Sequence, residues 1–137
     1  MAINLWTCNK CERQFARKNQ THTCTKIKPL DHLKGKSEKV KRLYQSLKAL
    51  LLAELPVRFD AISFAINMSA RAQFGMIFIQ KDKIKVEFKL AERITHPRIQ
   101  KTAKMNGTIV HVAIIENQEE IDDQLLDWLK QAYLYKS

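Results

Sequence analysis

The sequence predicts an α+β fold: a two-layer α-β-β-β-β-α domain with a mainly antiparallel sheet, preceded by a small zinc-finger-like segment. Three observations lead to this prediction. Helical periodicity marks both ends of the longer part of the chain, short apolar runs lie between them, and all three cysteines fall within the first 24 of 137 residues. The expected units are therefore residues 1–30, the zinc-finger-like segment, and residues 31–137, the α+β domain.

The first predicted helix starts after Ser37, whose hydroxyl can cap the first turn. Apolar residues recur at three- and four-residue intervals from Val40 to Leu51, and Pro56 stops the run just after Leu55. Lysine and arginine occupy many of the intervening positions. The pattern therefore predicts a helix with one buried stripe and a basic, solvated opposite face.

Four strands are expected to follow this helix. Alternating or continuous apolar residues place them at 62–66, 74–79, 84–90 and 108–115. In the third strand, large apolar residues alternate with lysine and glutamate, as in a strand with one buried face. The short gap from Gln80 to Lys83 predicts that the second and third strands form a hairpin.

The last predicted helix follows Asn117, which can act as its cap with Glu120 as the partner in a capping box. Acidic side chains in its first turn match the positive end of the helix dipole. Its apolar stripe consists of Ile121, Leu125, Leu129 and Ala132. This stripe predicts that the helix packs against the sheet.

Positive charge is distributed unevenly along the chain. The formal net charge is +10, yet residues 1–48 hold 12 Lys and Arg against 3 Asp and Glu, whereas residues 105–137 hold 2 against 6. This asymmetry predicts an anionic partner for the N-terminal part, nucleic acid first and an acidic membrane or protein second. The alternative is a lysine-rich face that serves solubility alone.

Cysteine spacing predicts a metal site in the N-terminal segment. Cys8 and Cys11 form a C-x2-C pair that can present both sulfurs to one ion, and His22 with Cys24 supplies two further ligands. Four protein ligands make a closed, structural zinc site. A disulfide is the alternative, but it leaves one of the three cysteines unpaired. His32 is the reserve ligand should His22 not bind.

Two sets of basic residues are candidate contacts for nucleic acid or another anion. The first set lies between the expected metal ligands and comprises Arg13, Arg17 and Lys18. The second lies in a predicted loop, residues 91–107, part of which we expect to form a short helix; it comprises Arg93, Arg98, Lys101 and Lys104. The alternative for this loop is a mobile basic surface without a ligand.

An enzymatic alternative rests on three residues that resemble a nuclease motif. Glu87 and Lys89 alternate on a strand, and Asp60 lies upstream, as in the acid-acid-lysine sets that hold magnesium and activate water. The same alternation is expected of any half-exposed strand. His111, inside the last strand, is expected to be a hydrogen-bonded structural histidine.

Several stretches of the chain resemble a known family. They are "WTCNKCERQFARKNQTHTC", "DHLKGKSEKVKRLYQSL", "QFGMIFIQKDKIKVEFKL" and "IDDQLLDWLKQAY". Together they are similar to bacterial domain-of-unknown-function family 5655 with its short N-terminal zinc-binding motif. The resemblance implies a fold and a metal but no activity. It places Cys8, Cys11, His22 and Cys24 on the metal positions of the family, which favours His22 over His32.

The function expected from the sequence is a zinc-binding, non-enzymatic binding module, with nucleic acid as the first candidate ligand. A protein–protein interaction adaptor comes second and a divergent metal-dependent nuclease third. The chain has no run of eighteen apolar residues, and its start has neither a basic nor an apolar leader region. We therefore expect a cytoplasmic protein without a membrane partner.

Overall fold

The computed structural model describes residues 6–7, 14–15 and 28–137. At the N-terminus, β1 (Trp6–Thr7) and β2 (Gln14–Phe15) form a two-stranded antiparallel ribbon. A short 3-10 helix, Pro29–Leu33, leads into the main domain. No helix in the described part of the chain has the length and hydrophobicity needed to cross a bilayer.

A six-stranded antiparallel sheet with the order β3-β4-β5-β6-β8-β7 forms the main layer of the domain. The α+β prediction is therefore confirmed, with two more strands in this sheet than the pattern predicted. The strands are β3 (Arg58–Ala61), β4 (Ile66–Ser69), β5 (Gln73–Ile79), β6 (Ile84–Leu90), β7 (Lys101–Met105) and β8 (Thr108–Ile115). The predicted hairpin is confirmed in β5 and β6, where the Gln80 N–H donates to the Lys83 carbonyl at 3.0 Å.

The predicted strand at 62–66 is wrong, because the chain reverses direction there between β3 and β4. The Ile62 N–H donates to the Ala65 carbonyl at 2.8 Å, and the Ile62 carbonyl accepts from His32 Nε2 at 2.7 Å. Both backbone groups of Ile62 are thus used by the turn and by a side chain instead of a sheet ladder. Phe64, which produced the apparent alternation, is 62% exposed at this turn.

The expected helical piece within 91–107 is also absent, since its second half is the edge strand β7. Asn106 and Gly107 connect β7 to β8, with φ of 52° and 79°. Positive φ at both positions is what a two-residue type I′ hairpin turn requires, and Asn-Gly is the pair that adopts it most readily.

Both long helices have side-chain caps. The Ser37 hydroxyl accepts the Val40 N–H at 3.3 Å at the start of α1 (Glu38–Leu52), as expected, although α1 ends before Leu55. The predicted capping box of Asn117 and Glu120 is present, but it opens a 3-10 turn. Asp122 caps α2 (Asp123–Tyr135) instead, accepting the Leu125 N–H at 3.1 Å.

Both helices pack on one face of the sheet, where the core lies. This face carries a fully buried row in β6: Ile84, Val86, Phe88 and Leu90. From α2, the Trp128 ring stacks on Phe88 with centroids 5.9 Å apart. From α1, Lys48 lies 5.4 Å from the ring centroid of Phe59, whose neighbour across the sheet is the buried Met68. The two-layer arrangement leaves the opposite face of the sheet uncovered by helices in the described chain.

Tyr44 combines a buried ring on α1 with a hydroxyl that has no hydrogen-bond partner among the described residues. Burial raises the pKa of this hydroxyl to about 12. An unpaired buried hydroxyl retains its desolvation cost, so we expect Tyr44→Phe to raise the free energy of unfolding by about 1 kcal/mol. Urea denaturation measures this change.

Tyr135→Phe is the matched control for this prediction. Its hydroxyl lies 3.1 Å from the Thr108 hydroxyl, so its removal should leave stability unchanged or slightly reduced. A clear loss of stability in Tyr44→Phe would show that the hydroxyl has a favourable partner.

Candidate functional site

The candidate functional site lies on the face of the sheet that the two helices leave uncovered. The strand register aligns one row of side chains across it, from β3 to β7: Asp60, Asn67, Met76, Glu87, Val112 and Lys101. We call this surface the open face. Alternation in β6 places Lys85, Glu87 and Lys89 there, because the intervening residues point into the core.

A groove of about 470 Å³ lies on the open face between β5 and β7. Its apolar lining comes from Met76, Ala103, Met105, Val110 and Val112, and its cations are Lys85, Lys89 and Lys101. Among the described residues, Glu87 is the only acidic one that lines it. The volume lies within the range of ligand sites in proteins, roughly 300–1,000 Å³.

A chain of polar contacts runs from the groove across the neighbouring strands. Lys89 Nζ donates to Gln73 Oε1 at 2.9 Å, and Gln73 Nε2 donates to Asn67 Oδ1 at 2.7 Å. Partial burial, together with the positive charge of Lys136, lowers the pKa of Lys89, whereas Glu87 opposes the shift. The ammonium is therefore held at a defined position on the sheet.

Two aromatic rings adjoin the groove at the end marked by Lys85. Phe78 lies directly across from Lys85 in the β5–β6 pair, and Lys85 Nζ is 4.2 Å from its ring centroid. Phe64, from the turn between β3 and β4, stacks on Phe78 with centroids 6.2 Å apart and planes inclined by 30°. Phe78 is half-buried, whereas Phe64 presents most of its ring to solvent.

The chain matches the family model described as Domain of unknown function (DUF5655) over residues 30–136. The chain belongs to this family. No curated protein and no solved structure matches it. The matched residues begin within the 3-10 helix and end at the residue after α2, so the open face and its groove lie entirely within the DUF5655 domain.

Of the basic residues predicted in 91–107, Lys101 alone lines the groove of the DUF5655 domain. Lys104 follows Lys101 by three residues, and successive residues of a strand point to opposite faces. Its side chain therefore lies on the other side of β7. Arg93 is exposed in the segment that precedes β7. The structure therefore does not bring this predicted set together on one surface.

Arg98 is engaged with the fold. Its Nη1 donates to both carboxylate oxygens of Asp122 at 2.9 Å, and its Nη2 donates to the Glu120 carbonyl. The guanidinium also lies 5.9 Å from the Trp128 ring centroid. Arg98 thus fastens the segment before β7 to the start of α2.

The remaining predicted residues concern the N-terminal segment. Cys8, Cys11, His22 and Cys24 lie outside the described residues, as do Arg13, Arg17 and Lys18. Within the described residues, no group of three or more His, Cys, Asp or Glu side chains is placed to hold a metal ion. The β1–β2 ribbon places Thr7 opposite Gln14.

The three residues of the nuclease alternative do not converge. Asp60 and Glu87 occupy the same transverse row but lie three strands apart. At a strand spacing of about 4.8 Å, their backbones are ~14 Å apart, too far for both carboxylates to ligate one ion at metal–oxygen distances of about 2 Å. The geometry therefore gives this alternative no support.

His111 is fully buried and uses both ring nitrogens in hydrogen bonds. Its Nε2 accepts the Ile94 N–H at 2.9 Å, which places the ring proton on Nδ1, where it donates to the Ile109 carbonyl at 3.1 Å. The ring also stacks on Phe88 at 5.2 Å. Burial lowers the pKa of His111, the hydrogen bond to Ile109 opposes this, and the charge of Arg93 adds a smaller lowering effect. His111 therefore acts as a neutral anchor for the segment before β7.

We expect this anchor to make the stability of the domain depend on pH. A histidine whose pKa is lower in the folded state keeps its full contribution above its unfolded pKa of about 6.5 and loses it as pH falls below that value. The wild-type free energy of unfolding should therefore fall between pH 7 and pH 5 more steeply than that of His111→Gln. Urea denaturation at several pH values measures both slopes, and parallel slopes would contradict the prediction.

Proposed function

We propose that the chain is a non-enzymatic binding module whose DUF5655 domain binds nucleic acid in the groove of the open face. The observation that carries the proposal is the placement of Lys85, Lys89 and Lys101 around the groove, where Glu87 is the single carboxylate from the part of the chain that the structure describes. Lysine provides a compact positive charge suited to phosphate oxygens, and phosphate contacts supply most of the affinity of non-specific nucleic-acid binding.

The spacing of these lysines supports an extended ligand. Lys85 and Lys89 are four residues apart on β6, which places their backbones ~13 Å apart along the strand. Lys101 lies two strands away from Glu87, or ~10 Å across the sheet. Three cations separated by such distances can contact phosphates along a chain, whereas a single small anion would reach only one of them.

The apolar floor between the lysines supports contact with more than phosphate groups. Val110 and Val112 belong to β8, and Ala103 belongs to β7, so the floor is made of rigid strands. Flat apolar surfaces next to cations suit sugars and bases, which are less polar than the phosphates that join them. A purely electrostatic patch would not require this lining.

The first test compares two triple variants that remove the same charge. In one, Lys85, Lys89 and Lys101 become Ala; in the other, the exposed Lys39, Arg42 and Lys104 become Ala outside the groove. With labelled mixed-sequence oligonucleotides, the groove variant should lose affinity. Its slope of log K against log salt concentration should also become less negative by about 2, since each single-strand phosphate contact contributes about −0.7. Fluorescence anisotropy over a salt series measures this.

The matched variant should keep the wild-type salt slope. An equal loss in the two triple variants would show that net charge acts without a defined site and would contradict the proposed groove. Absence of binding by the wild-type chain at low salt would overturn the nucleic-acid function altogether.

For the N-terminal segment we propose a structural zinc site formed by Cys8, Cys11, His22 and Cys24. The donor set fits zinc, since three thiolates and one imidazole are ligands of closed tetrahedral sites. The ribbon supports the proposal, because Thr7 and Gln14, which precede and follow the stretch with Cys8 and Cys11 in the sequence, lie opposite each other. It also lies near the sheet, since Arg58 Nη1 donates to the Gln14 carbonyl at 3.4 Å.

Metal analysis tests this site and its fourth ligand. The purified protein should carry about one zinc ion per chain. Both Cys11→Ser and His22→Gln should lower the occupancy, whereas His32→Gln should retain it, because His32 Nε2 already donates to the Ile62 carbonyl and a glutamine amide can replace that donor. Elemental analysis by mass spectrometry gives the ratio, and a wild-type protein without metal would refute the site.

A further inference from the structure

Phe64 is an exposed aromatic residue that the fold does not bury. Its ring is 62% exposed, although it belongs to a tight turn next to the buried Ala65 and Ile66. A large apolar ring that stays exposed at a turn gains little of the free energy that burial in the core provides. Its position beside the groove therefore calls for an explanation other than folding.

A neighbouring aromatic ring packs against Phe64 and holds it in place. Phe78 stacks against it at 6.2 Å, and Phe78 is itself held in the β5–β6 ladder, one pair from the hairpin end. Lys85 Nζ lies 4.2 Å from the Phe78 ring centroid. The order is therefore a groove lysine, then a half-buried ring, then an exposed ring, in continuous contact.

Resting on the function proposed above, we infer that the ligand is single-stranded, and that Phe64, supported by Phe78 and Lys85, is a platform on which one base stacks. Every nucleobase has an aromatic face, so such a platform accepts any base that is free to unstack from its neighbours. Bases within a duplex are paired and stacked on each other, so their faces cannot reach the ring without unpairing.

Charge and geometry act together in this arrangement. Lys85 is both a lining residue of the groove and a neighbour of Phe78, so a phosphate contacting Lys85 places the next base beside the aromatic pair. The remaining lysines, Lys89 and Lys101, lie farther along the groove and can hold the phosphates that follow. The platform thus stands at one end of the basic groove.

The test combines strand state with an aromatic substitution. Binding of a labelled single strand is compared with binding of its duplex, in DNA and in RNA, for wild type, Phe64→Ala and Leu134→Ala. Leu134 is the matched control, because it is a large apolar residue that is 69% exposed on α2, away from the open face. Thermal unfolding of each variant verifies that the fold is retained.

We expect the wild type to prefer the single strand and Phe64→Ala to weaken single-strand binding by about tenfold, the range of base–aromatic stacking. Its salt slope should stay at the wild-type value, because no phosphate contact is removed. Leu134→Ala should bind as the wild type does. Phe64→Trp should bind the single strand at least as tightly as the wild type does. The fluorescence of 2-aminopurine in the strand should be quenched by the wild type and less by Phe64→Ala.

The possible failures are distinguishable. Equal binding of single strand and duplex, with Phe64→Ala unchanged in affinity, would overturn the stacking platform and leave the groove function standing. A reduced salt slope in Phe64→Ala would also overturn it, since the substitution would then act on the lysines. Binding of neither strand state would remove the groove function itself, and a preference for DNA or RNA would identify the source of the single strand.

Discussion

The alternation of strand β6 is the constraint on which the rest of the domain depends. Its apolar residues point to one face and its lysines and glutamate point to the other. Because β6 lies near the middle of the sheet, the core can form on one face alone, and both α1 and α2 must pack there. The opposite face then carries the lysines and glutamate of β6 beside apolar residues of β5, β7 and β8, which together line the groove.

Some basic residues stabilise the fold, whereas others are available to contact a ligand. Arg98 is occupied by Asp122 and Glu120, and the segment around it is further tied down by His111 through the Ile94 N–H. These contacts position β7 at the edge of the sheet, and β7 supplies Lys101 to the groove. Arg98 thus shapes the groove without lining it.

Sequence patterns predicted both helices and the strands β5, β6 and β8, but they missed β4, although its Ile66 and Met68 are buried in the core. The alternation of 84–90, the hairpin across Gln80–Lys83 and the cap at Ser37 were readable because burial or a cap imposes a residue type at each position. Strand β7 has no fully buried side chain, so no hydrophobic period marks it, and only its Asn106–Gly107 turn was a usable signal. At 62–66, an exposed aromatic residue of the turn completed an apolar alternation that is typical of a strand.

The groove was harder to predict because it depends on register between distant segments. Lys85 and Lys101 are remote in sequence, and they share one face only through the pairing of β6 with β8 and of β8 with β7. Charge along the chain shows a second positive excess in residues 58–104, after the stronger one in residues 1–48, but it does not show which of these cations share a face. Composition can suggest an anionic partner, but strand pairing decides which cations meet.

Glu87 determines where phosphates and bases can lie in the proposed binding mode. It lies between Lys85 and Lys89 on the same face of β6, and it raises the pKa of Lys89 against the effect of burial. A phosphate over Glu87 would be repelled, whereas a base amino group could donate to its carboxylate, as cytosine amino groups do to Glu and Asp elsewhere. The groove therefore differs from a uniform basic patch, which attracts duplex backbones regardless of orientation. In the proposed mode, phosphates lie at the lysines and a base edge lies between them, an alternation that an unpaired strand can adopt and a duplex cannot.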